Sequence, residues 1–185
     1  MPIMTGRGRR RGTERNRYSR TGAGSGSYAH IMDKGDAVAD FELPDQNGTP
    51  RRLSELLRDG PVVLFFYPAA LTYGCTKESC HFRDLKAEFD AVGAQRVGIS
   101  ADTVEKQKRF ADKHEFDYPL LSDSDSAVAD QFGVKRSVTI LGKNKRATFV
   151  IGTDQRVLEV VRSELSFNSH ADRALEVLRD RASAS

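Results

Sequence analysis

The run Pro61-Val62-Val63-Leu64-Phe65-Phe66-Tyr67 constrains the fold of this chain more than any other segment. It is continuously apolar, rich in β-branched and aromatic residues, and bounded by Gly60 before and Pro68 after. A strand with one solvated face alternates apolar and polar side chains, whereas a strand covered on both faces has no polar positions to alternate with. The run therefore predicts a central strand with packed layers on both sides.

The rest of the chain supplies those layers. Phe41 and Leu43 alternate with polar residues ahead of Pro44-Asp45-Gln46-Asn47-Gly48, which holds a strong turn dipeptide and predicts an N-terminal hairpin. Leu53 and Leu56 then return towards the core. After a loop ending in Gly74, the residues Phe82, Leu85, Phe89 and Val92 recur at spacings of three and four. That period predicts one amphipathic helix reaching to about Gly93, with Cys75 and Cys80 in its first turns. Arg96-Val97-Gly98-Ile99-Ser100 reads as the next strand, followed by Asp102 or Thr103 as an N-cap and a helix through about His114. Tyr118-Pro119-Leu120-Leu121 is a short extended stretch, and residues 126–132 form a helical turn or two stopped by Gly133. Residues 147–151 and 157–161 flank the turn Gly152-Thr153-Asp154-Gln155 as a second hairpin. A final helix runs from about Ser169 to Arg181 with Ala174, Leu175 and Leu178 inward. This order predicts an α/β fold of the thioredoxin-like kind: a central mixed sheet, helices on both faces and an N-terminal β-hairpin.

At 185 residues the chain fits one globular domain. No apolar run approaches the roughly 20 residues that span a bilayer, so no transmembrane helix is expected. The net charge of +3 hides an asymmetry: residues 1–30 carry seven arginines against Glu14 alone. The expected boundary falls near residue 32, between a basic, disordered extension over 1–31 and a domain over 32–185. The extension lacks the apolar segment of a secretory signal. It is read as upstream sequence or a flexible linker ahead of a translation start at Met32, with no specific nucleic-acid partner.

Two cysteines are too few for a secreted disulfide scaffold, which leaves a redox or metal role in a reducing compartment, the cytoplasm. A cysteine becomes a nucleophile when its thiolate is populated. Helix N-termini and nearby cations lower a thiol pKa from about 8.5 to roughly 3.5–7.5. With Thr72 as N-cap, Cys75 falls at the third helical position, where unpaired backbone N–H groups favour negative charge. A cysteine considered alone is ordinarily a small buried hydrophobe. Cys80 changes the balance, because a second thiol five residues on can resolve a sulfenic acid. Five helical residues separate two Cα atoms by roughly 8–9 Å, and a disulfide needs less than about 7 Å. A Cys75–Cys80 disulfide therefore requires the first turns of the helix to unwind. A metal site built on Cys75, Cys80 and His81 is disfavoured, since there is no C-x-x-C pair and no second ligand pair. His114 and His170 read as surface or capping residues, and Lys77 and Arg83 as a solvated helix face.

Pro68-Ala69-Ala70-Leu71-Thr72-Tyr73-Gly74-Cys75 matches the pattern P-x-x-x-T-x-x-C, and Thr76-Lys77-Glu78-Ser79-Cys80 follows it. With these residues the chain resembles the peroxiredoxins, and within them the bacterioferritin comigratory protein or peroxiredoxin Q subfamily, over about residues 34–180. The resemblance implies a thiol peroxidase acting on hydrogen peroxide and organic hydroperoxides; with no nucleotide-phosphate loop, metal cage or flavin fingerprint in the sequence, no bound cofactor is expected. The resemblance makes Cys75 the peroxidatic thiolate and gives Thr72 a hydrogen bond to thiolate and peroxide. Pro68 covers the pocket, Arg146 stabilises the charge, and Glu78 orients Arg146. Cys80 then closes an intramolecular disulfide that thioredoxin or a similar dithiol reduces. A general thiol–disulfide oxidoreductase or redox sensor is the other class. Such proteins usually space the pair as C-x-x-C, so the longer spacing and the Pro68/Thr72 loop favour the peroxidase. Because both cysteines share a helix, catalysis needs no second subunit, and a monomer is expected. The loop departs from the subfamily's T-P-G-C by carrying Tyr73. Without a proline to preorganise the helix start, this tyrosine either loosens the loop or adds a lip to the pocket.

Overall fold

The computed structural model describes residues 31–137 and 144–184. The predicted basic extension, apart from Ile31, lies outside the described residues. In chain order the elements are β1 (Glu42–Pro44), β2 (Pro50–Arg52), α1 (Leu53–Leu56), β3 (Val62–Phe66), α2 (Tyr73–Asp84) and α3 (Lys86–Ala91). They continue with β4 (Gln95–Ser100), α4 (Val104–His114), β5 (Leu120–Ser122), α5 (Ala127–Gln131), β6 (Ala147–Ile151), β7 (Val157–Arg162) and α6 (Ser169–Ser183).

The doubly covered strand is β3, and it lies at the centre of a five-stranded sheet of order β5-β4-β3-β6-β7. It pairs in parallel with β4 and antiparallel with β6, so the sheet is mixed as expected. Alternation along β3 divides the core in two. Val62, Leu64 and Phe66 face a layer built from α1, α5 and the N-terminal segment, including Leu53, Leu57, Val128 and Phe132. Val63, Phe65 and Tyr67 face the layer of α2, α3, α4 and α6, where Phe82, Phe89, Phe110 and Leu175 pack. Met32 belongs to the first layer, and its carbonyl accepts a hydrogen bond from Arg162 Nη2 at 2.5 Å. Among the described residues no helix is long and apolar enough to cross a membrane.

The N-terminal hairpin forms with Glu42 opposite Arg52. Buried Asp45 organises its turn by accepting from the backbone N–H groups of Asn47 and Thr49 and from Arg51 Nε. Leu53 and Leu57 are buried after the hairpin, and Leu56 packs partly buried against the same cluster.

One predicted element differs. The helix expected to run unbroken to Gly93 stops at Leu85, whose backbone (φ −89°, ψ 21°) leaves the helical region, and resumes as α3. The cause lies in β4. Arg96 enters the core and donates from Nη1 to the carbonyls of Phe82 (2.9 Å) and Arg83 (3.3 Å). Those two carbonyls keep a donor where the helix breaks. Asp117 holds the other end of the guanidinium at 2.8 Å.

Candidate active site

The loop after β3 is tied down before it turns into α2. The Ala70 N–H donates to Asp102 Oδ2 at 2.6 Å, and Asp102 is in turn held by Ser100 Oγ (2.8 Å) and Lys106 Nζ (2.5 Å). Asp102 is thus a loop anchor, while Thr103 caps α4. Leu71 takes a left-handed conformation (φ 66°), which an L-residue adopts only when its surroundings impose it. Thr72 then occupies the N-cap of α2 and Cys75 its third position, as the sequence predicts.

Cys75 is only 1% exposed and packs with the second core layer. Its Sγ accepts a hydrogen bond from Arg146 Nη2 at 3.4 Å. Arg146 immediately precedes β6, the strand next to β3, and its other terminal nitrogen donates to Glu78 Oε2. Glu78 is one helical turn beyond Cys75, so the guanidinium fork bridges two neighbouring positions on the same face of α2. The guanidinium also lies over the Phe167 ring, 4.8 Å from its centroid. Gly74 is required by this arrangement: a Cβ there would meet Phe167 at 2.7 Å and Arg146 Nη2 at 3.3 Å.

Burial works against every charge in this cluster. It pushes the Glu78 carboxyl up to about 8, and the neighbouring Arg146 charge only partly offsets it. It also opposes the Arg146 charge, but Glu78 and Cys75 outweigh it and hold the guanidinium above its usual value. His170, predicted as a surface or capping residue, is instead completely buried, and burial pulls its pKa down. It sits behind Glu78 because its α6 stripe continues through Ala174 and Leu178 into the core. A His81–Asp172 contact of 2.7 Å fastens α6 to α2.

Pro68 is half-buried at the end of β3. The Thr72 hydroxyl donates to the Ala69 carbonyl at 2.9 Å, which leaves its oxygen free to accept but commits its hydrogen to the loop. Cys80 lies two turns along α2, half-buried, with its Sγ 4.0 Å from His114 Nδ1. Burial raises its pKa against the opposing charge of Arg83. The intact helix between Cys75 and Cys80 keeps their Cα atoms roughly 8–9 Å apart, too far for a disulfide. A cavity of about 340 Å³ opens over Cys80, lined by Leu71, Tyr73, Lys77, Lys113 and His114. Tyr73 is 73% exposed and its ring carries Lys77 Nζ at 5.0 Å, so the tyrosine forms a lip over the Cys80 side. Arg83 donates to the His114 carbonyl at 2.7 Å and to Asp84, and is tied to the neighbouring helix.

Comparison with known proteins gives a consistent set of likenesses. Residues 34–160 match the family model described as the AhpC/TSA family. The crystal structure of peroxidoxin BcpB from Mycobacterium tuberculosis is 65% identical, covers 80% of this chain and 97% of its own, and superposes with a TM-score of 0.78. Peroxiredoxin Bcp of Escherichia coli is 37% identical over 155 residues, covering 82% of this chain and 98% of its own. The chloroplastic peroxiredoxin Q of Sedum lineare is 38% identical, over 80% of this chain and 78% of its own.

Proposed function

The chain belongs to the AhpC/TSA family as a peroxiredoxin of the Bcp and peroxiredoxin Q type, and we propose on that premise that Cys75 is its peroxidatic thiol and Cys80 its resolving thiol. The observation that carries this reading is the Arg146 Nη2 donor 3.4 Å from Cys75 Sγ at a helix N-terminus. A guanidinium and free helix N–H groups favour a thiolate over a thiol.

In the proposed reaction the Cys75 thiolate attacks the terminal oxygen of hydrogen peroxide or an organic hydroperoxide. The S–O bond forms as the O–O bond breaks, Cys75 becomes a sulfenic acid, and the departing oxide takes a proton to leave as water or alcohol. Arg146 stands where negative charge passes from sulfur to the leaving oxygen, and its planar donor fork needs no reorganisation as the charge moves. Pro68 shields the sulfur from water, the Thr72 oxygen accepts a hydrogen bond from the incoming peroxide, and Glu78 fixes the Arg146 plane.

Cys80 then attacks the sulfenic sulfur. The S–S bond forms, and the hydroxyl of the sulfenic acid leaves as water with the Cys80 proton. Both cysteines ride on α2, so this step proceeds through local opening of the helix. Thioredoxin or a similar dithiol completes the cycle by exchange in a reducing compartment, and the whole cycle runs within a monomer. Peroxide turnover coupled to NADPH oxidation through a thioredoxin system tests the reading. The unmodified protein turns over, Cys75→Ser consumes no peroxide, and Cys80→Ser is oxidised once without turning over. Turnover by Cys75→Ser removes the assignment.

A further inference from the structure

Behind the Cys75–Arg146 pair lies a buried contact that the proposed reaction does not use. The Oε1 atom of Glu78 is buried without a hydrogen-bond partner, and it faces His170 Nδ1 at 3.7 Å. Both side chains are fully buried. The hydrogen bonds of His170 fix where its proton resides. Its Nε2 is 2.9 Å from the Ser163 carbonyl, which can only accept, so Nε2 carries the hydrogen. In the neutral ring Nδ1 is then a single lone pair for which two donors compete, the Thr148 hydroxyl 2.9 Å away and a proton on Glu78 Oε1. An ionised Glu78 would set the lone pairs of Oε1 against the lone pair of Nδ1 in a dry site. One proton between the two atoms removes that conflict, and a small rotation of the carboxyl group brings them within bonding distance.

We propose that His170 is a positioning residue whose Nδ1 accepts a proton carried on Glu78 Oε1, keeping Glu78 neutral so that the charge of Arg146 acts undivided on the Cys75 sulfur. Burial raises the Glu78 pKa and lowers that of His170, the directions such a carboxyl-to-imidazole hydrogen bond needs. The other charged or titratable groups facing the pair are Cys75 on α2 itself, Arg146 before β6, and Glu164 after β7, which Arg136 pairs at 2.7 Å. Thr148 has the opposite effect to His170. Its hydroxyl competes with Glu78 for the same lone pair.

The inference rests on Cys75 being the reactive thiol, but its test uses no peroxide, so its failure and that of the proposed reaction can be told apart. In a Cys80→Ser background Cys75 is the one remaining thiol of the chain. Its ionisation can then be followed by thiolate ultraviolet absorbance against pH. His170→Phe, which fills the site without an acceptor, moves the midpoint upward by about one pH unit, a tenfold change in the thiolate equilibrium. Thr148→Val moves it downward, and Glu78→Gln, a permanently neutral partner for Arg146, does not raise it. In the Glu78→Gln background His170→Phe has no further effect, the signature of two residues acting through one contact. A merely structural role predicts that His170→Phe and Thr148→Val shift the midpoint the same way, and that result overturns the proposal. Should His170→Phe not fold, the other two variants decide: an upward shift in either Thr148→Val or Glu78→Gln refutes it.

Discussion

Replacing Tyr118 by phenylalanine isolates the step on which the two-cysteine reading depends. Tyr118 is buried against α2, and its hydroxyl donates to the Ser79 carbonyl at 2.7 Å. Ser79 lies between the two cysteines, so any opening that brings Cys80 to Cys75 disturbs this bond. The ring itself stacks on Phe116, with centroids 5.4 Å apart, and meets Phe65 edge-on at 5.8 Å. Phenylalanine preserves those contacts, and the Ser79 carbonyl, inside α2, keeps its helical acceptor role. What is lost is one intramolecular hydrogen bond, worth about 1 kcal/mol net. If α2 must open before Cys80 attacks, the opened fraction rises about fivefold, and disulfide formation accelerates by the same factor. The assay mixes reduced protein with one equivalent of peroxide, quenches in acid, and counts remaining thiols by mass spectrometry. Amide exchange across residues 76–84 reports the opening separately. An unchanged or slower rate of disulfide formation, with faster exchange in the same segment, would refute opening as the route to the disulfide.

Other perturbations test the rest of the site. Arg146→Ala removes a charged hydrogen bond worth about 1.5–3 kcal/mol, and should slow the first oxidation of Cys75 by roughly 10- to 100-fold in stopped-flow competition with a reference peroxidase. Gly74→Ala forces a Cβ into the Phe167 ring and should lower stability by about 1–3 kcal/mol in denaturant unfolding, with the Arg146-dependent rate falling alongside. The pH dependence of stability should carry the mark of Glu78. A carboxyl raised from 4.5 to about 8 binds its proton more tightly in the folded state, so its contribution declines as pH rises through that window. His170, lowered from 6.5, adds stability as pH rises towards 6.5 and nothing beyond. The net decline should therefore be clearest between pH 6.5 and 8, and Glu78→Gln should flatten it in unfolding measurements across that range.

The parts of this fold that could be read from the chain are those where one local pattern decides the outcome. The unbroken apolar run of β3 has no arrangement that satisfies it except coverage on both faces, and the sheet supplies that coverage. Cys75 could be placed at the third helical position because Thr72 and the period of Phe82 and Phe89 fix the phase of α2. The break at Leu85 was hidden because its cause, Arg96, lies in a different element and reads as an ordinary charge at the start of a strand. Arg146 and Glu78 were singled out by resemblance alone. Nothing in their spacing says that a guanidinium before β6 reaches across to α2. Phe167 carried no signal, and Asp102 read only as a possible N-cap, since each acts through a partner distant in sequence. His170 is the case where the signal existed. It precedes Ala174 and Leu178 by four and eight residues, an inward stripe of α6 that already argued for burial.

The central claim is that peroxide oxidises Cys75 first and that Cys80 closes on it within the same chain. Peptide mapping after one equivalent of hydrogen peroxide tests this most directly. The unmodified protein should yield the Cys75–Cys80 disulfide in a single chain, and Cys80→Ser should trap a sulfenic acid at Cys75, captured by a dimedone-type probe. A sulfenic acid that instead forms at Cys80, or a disulfide found only between two chains, would contradict the account.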